Sequence, residues 1–325
     1  MVTYSQHKKS YDAMVFIEGT AVIAVDSKGA MIAAGTAGTD DAAVIQAAIT
    51  YVSNGNTIFV NIATYGYPEF IKVSSTVVRG KDFRNNLSSI FELLGDIRLL
   101  VPCDRISGTS IADYTRLSNT LTAQASVATW YGFQGRATYY DFNGSSHYLY
   151  RANDTDFDFG NALTDSAFSI VMCLNPDVAT SRQLIGKWDV NNLREWRFFF
   201  DVTGYLTLQL YDESVDKYIG RQYQTIFTPT GEWGVFVATY DGSTVSAGCT
   251  LYIDGIQVDN ANYEVAGYIA MEVINTNLMV GALKNAAAYS EYYDGKMTWI
   301  GITGKELDAD EVWSVTQRVK GVLGI

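Results

Sequence analysis

The sequence predicts a mainly β protein in which a small α/β module precedes a two-sheet antiparallel sandwich. Three observations predict it. Aromatic side chains, which favour strands, are abundant, with 22 Tyr and 15 Phe in 325 residues. Between residues 167 and 214, short alternating apolar runs recur at a spacing of about ten residues, as in a sandwich. Asp254-Gly255 separates two further alternating runs. That dipeptide signals a hairpin, because a type I′ turn needs positive φ at both central residues.

Composition excludes several function classes. The net charge of −12 repels phosphate backbones, so nucleic acid is not an expected partner. His7 and His147 are the only histidines, too few for a multi-histidine zinc site and poor material for a histidine triad. No phosphate-cradling glycine motif stands between a strand and a helix. Cys103, Cys173 and Cys249 show no CxxC spacing, and the last two lie in apolar runs, as small buried residues do. The opening MVTYSQHKKSYDAMVFIEG lacks the apolar core of a signal peptide, and no run of 18 apolar residues occurs. Neither secretion by a signal peptide nor membrane insertion is expected.

The first module spans 1–104. AMVFIEG (13–19) and TAVIAVDSKG (20–29) read as strands with Gly19 and Gly29 at turns. Thr39 or Asp40 caps a helix over about 41–52, where Val44, Ile45, Ala48, Ile49 and Val52 share one face. Asn54-Gly55 ends that helix and a strand follows over Thr57–Val60.

The run GTAGTDDAAVIQAAI (35–49) resembles the entry motif of pectate-lyase-like right-handed β-helices, through Gly38, Thr39, Asp40, Asp41, Ile45, Gln46, Ala47, Ala48 and Ile49. The PxGxY of that family is met only loosely, by NIATYGYPEF (61–70). The resemblance implies a short β-helix-like module, with coils from 71–78 and 88–102; an ordinary small α/β module is the alternative. Phage tailspikes and fibres carry this motif. It therefore implies a virion appendage outside the cell, assembled as a homotrimer with other virion proteins. So few coils cannot cover their own ends, which also points to assembly.

Residues 105–128, rich in Ser, Thr and Ala, read as a linker with a marginal helix at 110–118. The second module then runs over 129–325. YYDFNGSSHYLYR (139–151) reads as a hairpin turning at Asn143-Gly144. AFSIVMCLNPD (167–177) turns Phe168, Ile170, Met172 and Leu174 inward. RQLIGKWD (182–189), EWRFFFDVTG (195–204) and YLTLQLYDES (205–214) continue the strands, with Gly204 at a turn. A closing helix over about 309–319 turns Val312, Trp313 and Val315 inward, and Trp196, Trp233 and Trp299 also fall in core runs.

EWGVFVATYDGS (232–243), CTLYIDGIQVD (249–259), LMVGA (278–282) and YDGKMTWIGITGKELDADEVWSV (293–315) follow in the order found in laminin-G-like and pentraxin-like domains. On these runs the module resembles the concanavalin A-like jelly-roll superfamily. The resemblance implies a jelly roll, a lectin-like habit of binding host-surface carbohydrate, and a calcium ion near the rim. By position the calcium candidates are Asp141 or Asn143, with Asp294; the same residues also read as ordinary turn formers.

Sugar binding calls for exposed rings beside polar groups. Trp188, Asp189 and Asn191, then Tyr211, and then Tyr292 lie in loops that offer both. Catalysis lacks a carboxylate pair. Asp154, Asp156 and Asp158 would share one face of an extended strand and repel one another. Glu195 and Asp201 would stand about 20 Å apart when extended, beyond either glycosidase geometry. The expected function is carbohydrate binding without enzyme activity. A polysaccharide-degrading enzyme and a purely structural surface protein are the alternatives.

Overall fold

The structure is a computed structural model. It describes residues 13–18, 21–26, 28, 30–36, 44, 47, 48, 51, 57–61, 68–72 and 94–323, apart from 104, 105, 108, 116, 125–127, 132–137 and 230. The chain forms two compact units, 1–89 and 90–325.

In the first unit, β1 (Ala13–Glu18), β2 (Ala21–Asp26), β3 (Met31–Thr36), β4 (Thr57–Asn61) and β5 (Pro68–Lys72) form one sheet in the order β3-β2-β1-β4-β5. Among the described residues β1 and β4 pair in parallel, and the other neighbours are antiparallel. A β-helix stacks parallel coils; the described strands instead form a mixed sheet, the pairing expected of the small α/β alternative. Val44, Ala47, Ala48 and Tyr51 are helical, with Val44 and Ala48 buried and Tyr51 exposed, as the amphipathic spacing predicts. Gly38 to Asp41, Ile45, Gln46, Ile49 and most of the proposed coil segments lie outside the described residues.

The second unit begins earlier than the composition suggests. Its strands open with β6 (Ile97–Val101), β7 (Ile106–Ser107), β8 (Ser110–Ile111), β9 (Leu121–Gln124), β10 (Ala128–Tyr131), β11 (Thr138–Asn143) and β12 (Tyr148–Arg151). Next come β13 (Phe168–Val178), β14 (Arg182–Asp189), β15 (Leu193–Phe200), β16 (Leu206–Asp212), β17 (Lys217–Tyr223) and β18 (Gly234–Tyr240). The last strands are β19 (Cys249–Ile253), β20 (Ile256–Gln257), β21 (Ala261–Asn262), β22 (Leu278–Val280), β23 (Leu283–Asn285), β24 (Ala288–Ser290) and β25 (Asp294–Thr303), before α1 (Ala309–Leu323).

One sheet runs β10-β11-β25-β13-β18-β19-β20, with β6 also on β25. The other runs β21-β17-β16-β15-β14-β22-β12-β9-β8-β7, with the β23–β24 hairpin attached to β14. The sheets enclose one apolar core that includes Phe142, Phe168, Trp196, Phe198, Phe236 and Ile300. Phe168, Ile170, Met172 and Leu174 all face it, so the alternation predicted for β13 holds. The fold is a mainly β jelly-roll sandwich, as predicted.

Four expectations are corrected. Residues 105–128 are not a linker. β8 and β9 extend the second sheet and bury Ile111 and Leu121 in the core, and none of the described residues within 110–118 is helical. Ile97–Val101 is not a solenoid coil. β11 covers Asp294–Met297 of β25, and β6 pairs with Ile300–Thr303 along the rest of it.

Asn143-Gly144 does not close a hairpin, because β12 pairs with β9 and β22 in the opposite sheet. The turn carries the chain across the sandwich. Trp313 is 51% exposed, whereas Val312, Val315 and Val319 are buried. A side chain at Gly255 would strike its ring at 2.7 Å, so Trp313 caps the Asp254-Gly255 turn from outside. That turn has φ of +55° and +82°, positive at both central residues as predicted. All three cysteines are buried. No helix among the described residues is long and apolar enough to cross a membrane.

Candidate functional site

Strands alternate their side chains between two faces, and paired residues share a face. In the second sheet the core takes Ile185, Trp196, Phe198, Leu208 and Leu210. The opposite, outer face therefore carries Gln183, Gly186 and Trp188 from β14, and Arg197 and Phe199 from β15. β16 adds Gln209 and Tyr211, and β22 adds Met279. Register aligns one row across the strands: Gly220, Gln209, Arg197, Gly186, Met279, Tyr150 and Thr122.

Aromatic groups stand at both ends of this face. At one end Trp188, Tyr211, Tyr218, Tyr263 and Phe199 follow one another at centroid distances of 5.3, 6.0, 5.0 and 6.5 Å. Arg197 closes the circle, its guanidinium carbon 4.4 Å from the Trp188 centroid and 3.8 Å from that of Phe199. At the other end Tyr148 stacks on Tyr289 at 4.3 Å, with Tyr150 and Tyr292 each 6.3 Å away. Tyr148 is buried, while Tyr150, Tyr289 and Tyr292 are half-buried. Burial, reinforced by Tyr289, raises the Tyr148 hydroxyl above the ordinary phenol value.

Polar groups lie between them. Arg197 donates through Nε to Gln209 Oε1 at 2.9 Å, and its Nη1 lies 3.8 Å from Glu291 Oε2. Burial lowers the Arg197 pKa and raises that of the Glu291 carboxyl. Gln183 is fully buried beside them. A Cβ at Gly186 would fall 2.7 Å from Gln183 Nε2 and 2.8 Å from Arg197 Cβ, so a glycine lets both polar chains lie across the strand.

The residues singled out from sequence have mixed fates. Tyr292 joins the tyrosine group, and Asn191 is exposed on the β14–β15 turn. Trp188 and Tyr211 are not exposed platforms. They are 4% and 5% exposed, beneath Arg197 and Arg194 respectively. Tyr211 also donates to Asp216, while Arg194 is held by both oxygens of Glu213.

Asp189 is buried and structural. It accepts from Asn191 N at 3.2 Å and Ala286 N at 2.9 Å, and pairs with Lys284 at 3.3 Å. Burial opposes its charge, but those hydrogen bonds win and hold its pKa low.

The calcium candidates lie on one pair of strands, with part of their oxygen already engaged. Asn143 sits opposite Asp294, and Asp141 opposite Lys296. Asn143 Oδ1 already accepts from the amides of Ser145, Ser146 and His147 at 3.1, 2.9 and 3.1 Å. Lys296 supplies a positive charge beside the remaining acids, and bonds Asp177 at 3.5 Å. Among the described residues no group of three or more His, Cys, Asp and Glu could hold a metal.

The carboxylates behave differently from the extended-strand expectation. Thr155–Phe157 is a 3-10 turn capped by Asp154, so Asp154, Asp156 and Asp158 do not share a strand face. Asp158 turns inward and pairs with Lys187, which lies 3.1 Å from Glu195 Oε2. Lys187 and Glu195 are fully buried. Burial, opposed by Lys187, pushes the Glu195 carboxyl up to about 8. This pair of acids is sealed by a lysine and has no open side for a substrate.

Sequence reading missed Gln183, Arg197, Gln209, Glu291, Tyr148 and Tyr150 as site residues. The available signal was the off-beat of each strand, where the residues between the core positions define the outer face.

No curated protein matches the chain. Among solved structures, the binding domain of Paraclostridial Mosquitocidal Protein 1 matches with a TM-score of 0.51 and 14% identity, over 69% of this chain and 52% of that one. The binding domain of botulinum neurotoxin serotype G matches with a TM-score of 0.50 and 14% identity, over 68% and 51%. Domain 4 of AbnA, a GH43 arabinanase from Geobacillus stearothermophilus, in complex with arabinotriose, gives 0.48 and 14% identity, over 68% and 98%. The aligned region spans about half the length of the first two. These likenesses concern the fold. The Laminin_G_3 family, described as the concanavalin A-like lectin/glucanases superfamily, matches residues 143–313. That stretch is more than half of the chain and holds β12 to β25 with most of the sandwich core, so the chain belongs to the concanavalin A-like lectin/glucanases superfamily.

Proposed function

We propose that this chain is the glycan-binding subunit of a virion appendage, and that its jelly roll holds host-surface carbohydrate on the outer face of the second sheet. The observation that carries the reading is the half-buried trio Tyr150, Tyr289 and Tyr292, gathered around buried Tyr148 on the face that also carries Arg197, Gln209 and Glu291. Sugar rings offer apolar C–H faces to aromatic side chains and hydroxyls to fixed polar groups, and recognition sites combine these two features.

Sealing of Asp158 and Glu195 by Lys187 favours binding over hydrolysis. The appendage part of the proposal rests on the tailspike-like run at 35–49, and with it come a homotrimer and contacts to other virion proteins.

The test uses the whole chain against a glycan array and against extracted surface polysaccharide, following binding and chain length together. Saturable binding without shortening of the polysaccharide is expected. Tyr148→Ala combined with Tyr289→Ala should weaken it by about tenfold or more, equivalent to about 1.4 kcal/mol. Polysaccharide cleavage, or no binding by folded protein, overturns the glycan-binding reading. Light scattering giving a monomer overturns the trimer.

A further inference from the structure

We infer that Gln183, Arg197 and Glu291 form the sugar-selecting subsite of this face, and that it takes two adjacent hydroxyls of an uncharged sugar residue. The inference rests on the glycan-binding reading and narrows it. Gln183 carries most of the argument. It is fully buried, yet neither its Nε2 nor its Oε1 has a hydrogen-bond partner among the described residues. A buried polar group left unpaired bears the full cost of its lost hydration. Such groups are rare in folded proteins and call for an explanation, and a ligand that completes them is one.

Its surroundings point the same way. Gln183 N donates to the Glu291 carbonyl at 2.9 Å, so the two residues lie side by side. Glu291 has φ of +47°, and Ala286, earlier in the same segment, has +53°. Left-handed backbone at a residue other than glycine is strained, and such strain clusters at functional sites. Glu291 Oε2 also lacks a hydrogen-bond partner, although Arg197 Nη1 is 3.8 Å away. Arg197 is held over Trp188 and Phe199 and tethered to Gln209 through Nε, which fixes the direction of its remaining donors.

The chemistry selects the ligand class. Gln183 offers one acceptor and two donors, Arg197 donors only, and Glu291 acceptors. Two neighbouring hydroxyls each donate and accept, and so can satisfy all three. A carboxylated sugar would bring a second acceptor-only group against Glu291, in a chain whose net charge is −12. Opening the buried Gln183 amide to a hydroxyl pair requires the half-buried Glu291 side chain to swing aside, its carboxylate then accepting from one of the two hydroxyls.

The test measures binding of the full chain to immobilised neutral hexaoses of glucose, xylose, arabinose, mannose and galactose. Oligogalacturonate and sialyllactose provide the acidic arm. Wild type should retain at least one neutral oligosaccharide in preference to the acidic ones. Gln183→Leu should weaken that binding by about tenfold or more, because hydroxyls lose their partners, while the melting temperature stays equal or rises. Glu291→Gln, in a half-buried loop, should weaken it by about fivefold and serves if Gln183→Leu does not fold.

Unchanged binding in Gln183→Leu or Glu291→Gln, with loss in the tyrosine double variant, overturns the subsite and leaves the glycan-binding reading standing. Retention of acidic sugars alone overturns the sugar class. No binding by wild type overturns both readings.

Discussion

Two polar groups share strands β14 and β15, on opposite faces of the same sheet. On the core side, Lys187, Asp158 and Glu195 close on one another, and Glu195 Oε1 also accepts from Phe159 N at 3.0 Å. On the outer side, Gln183 and Glu291 keep polar atoms without partners, and Arg197 is gripped by aromatic rings rather than by a close carboxylate. Both groups are largely buried, and both contain charge. In the core group a lysine pairs closely with two carboxylates and pins the 3-10 turn to the sheet, although Asp158 Oδ2 and Glu195 Oε2 have no hydrogen-bond partner among the described residues. The outer group has no close ion pair among the described residues, and both ends of the Gln183 amide are unbonded there. Neither burial nor an unpaired atom alone distinguishes a structural polar cluster from a binding one; close pairing of charges does.

The comparison can be broken most decisively at Lys187. Lys187→Met removes the one cation between two buried carboxylates, and breaking such a set costs about 3–5 kcal/mol. Urea denaturation should show that loss. A loss below about 1 kcal/mol would mean the cluster is not the structural element described here.

Glu195 gives the next largest effect, through pH. Its carboxyl is raised from an ordinary value of 4.5 to about 8 in the folded state. A raised carboxyl favours the folded state when protonated. Its contribution is therefore complete below about pH 4.5 and is lost as pH rises towards about 8. The slope cannot exceed about 1.4 kcal/mol per pH unit for one proton. Glu195→Gln should flatten stability against pH in that window, seen as the difference between two sets of denaturation curves.

On the outer face the sign should reverse. Gln183→Leu removes an amide with no partner and is expected to change stability by less than about 1 kcal/mol, or to raise it. A loss comparable to that of Lys187→Met would show that the two clusters do the same work, and the contrast would fall.

How much of this was legible beforehand follows from what a strand pattern encodes. The sandwich strands were legible because core residues alternate, as Phe168 to Leu174 do, and the Asp254-Gly255 turn because its residue types state its backbone. β6 was not. Ile97–Val101 is apolar like any strand, and only the unpaired half of β25, some 200 residues later, gives it a place. Residues 105–128 look like a linker because Ser and Thr there satisfy local turns, although Asn119 is buried and bonds Arg98 O and Asp156 at 2.9 Å each.

The site was less legible still. Trp188 and Tyr211 have the composition of a sugar platform, but arginines cover them. Gln183 and Glu291 lie 108 positions apart and meet only through the β23–β24 segment folded over β14.

The smallest effect is expected at the turn of Asn143. Its side-chain oxygen serves three backbone amides, and a Cβ at Gly144 would fall 2.8 Å from Asp294 Cγ. A cation drawn to Asp294 would have to compete with those amides for Asn143 and with Lys296 for the neighbouring surface. Chelation of calcium should then leave glycan binding unchanged and move unfolding free energy by less than about 0.5 kcal/mol. Asn143→Ala should cost more than chelation, about 1 kcal/mol, because it removes the oxygen that organises the crossing from β11 to β12. A chelation effect larger than the Asn143→Ala effect would reverse that order, and would place an ion where the structure places a turn.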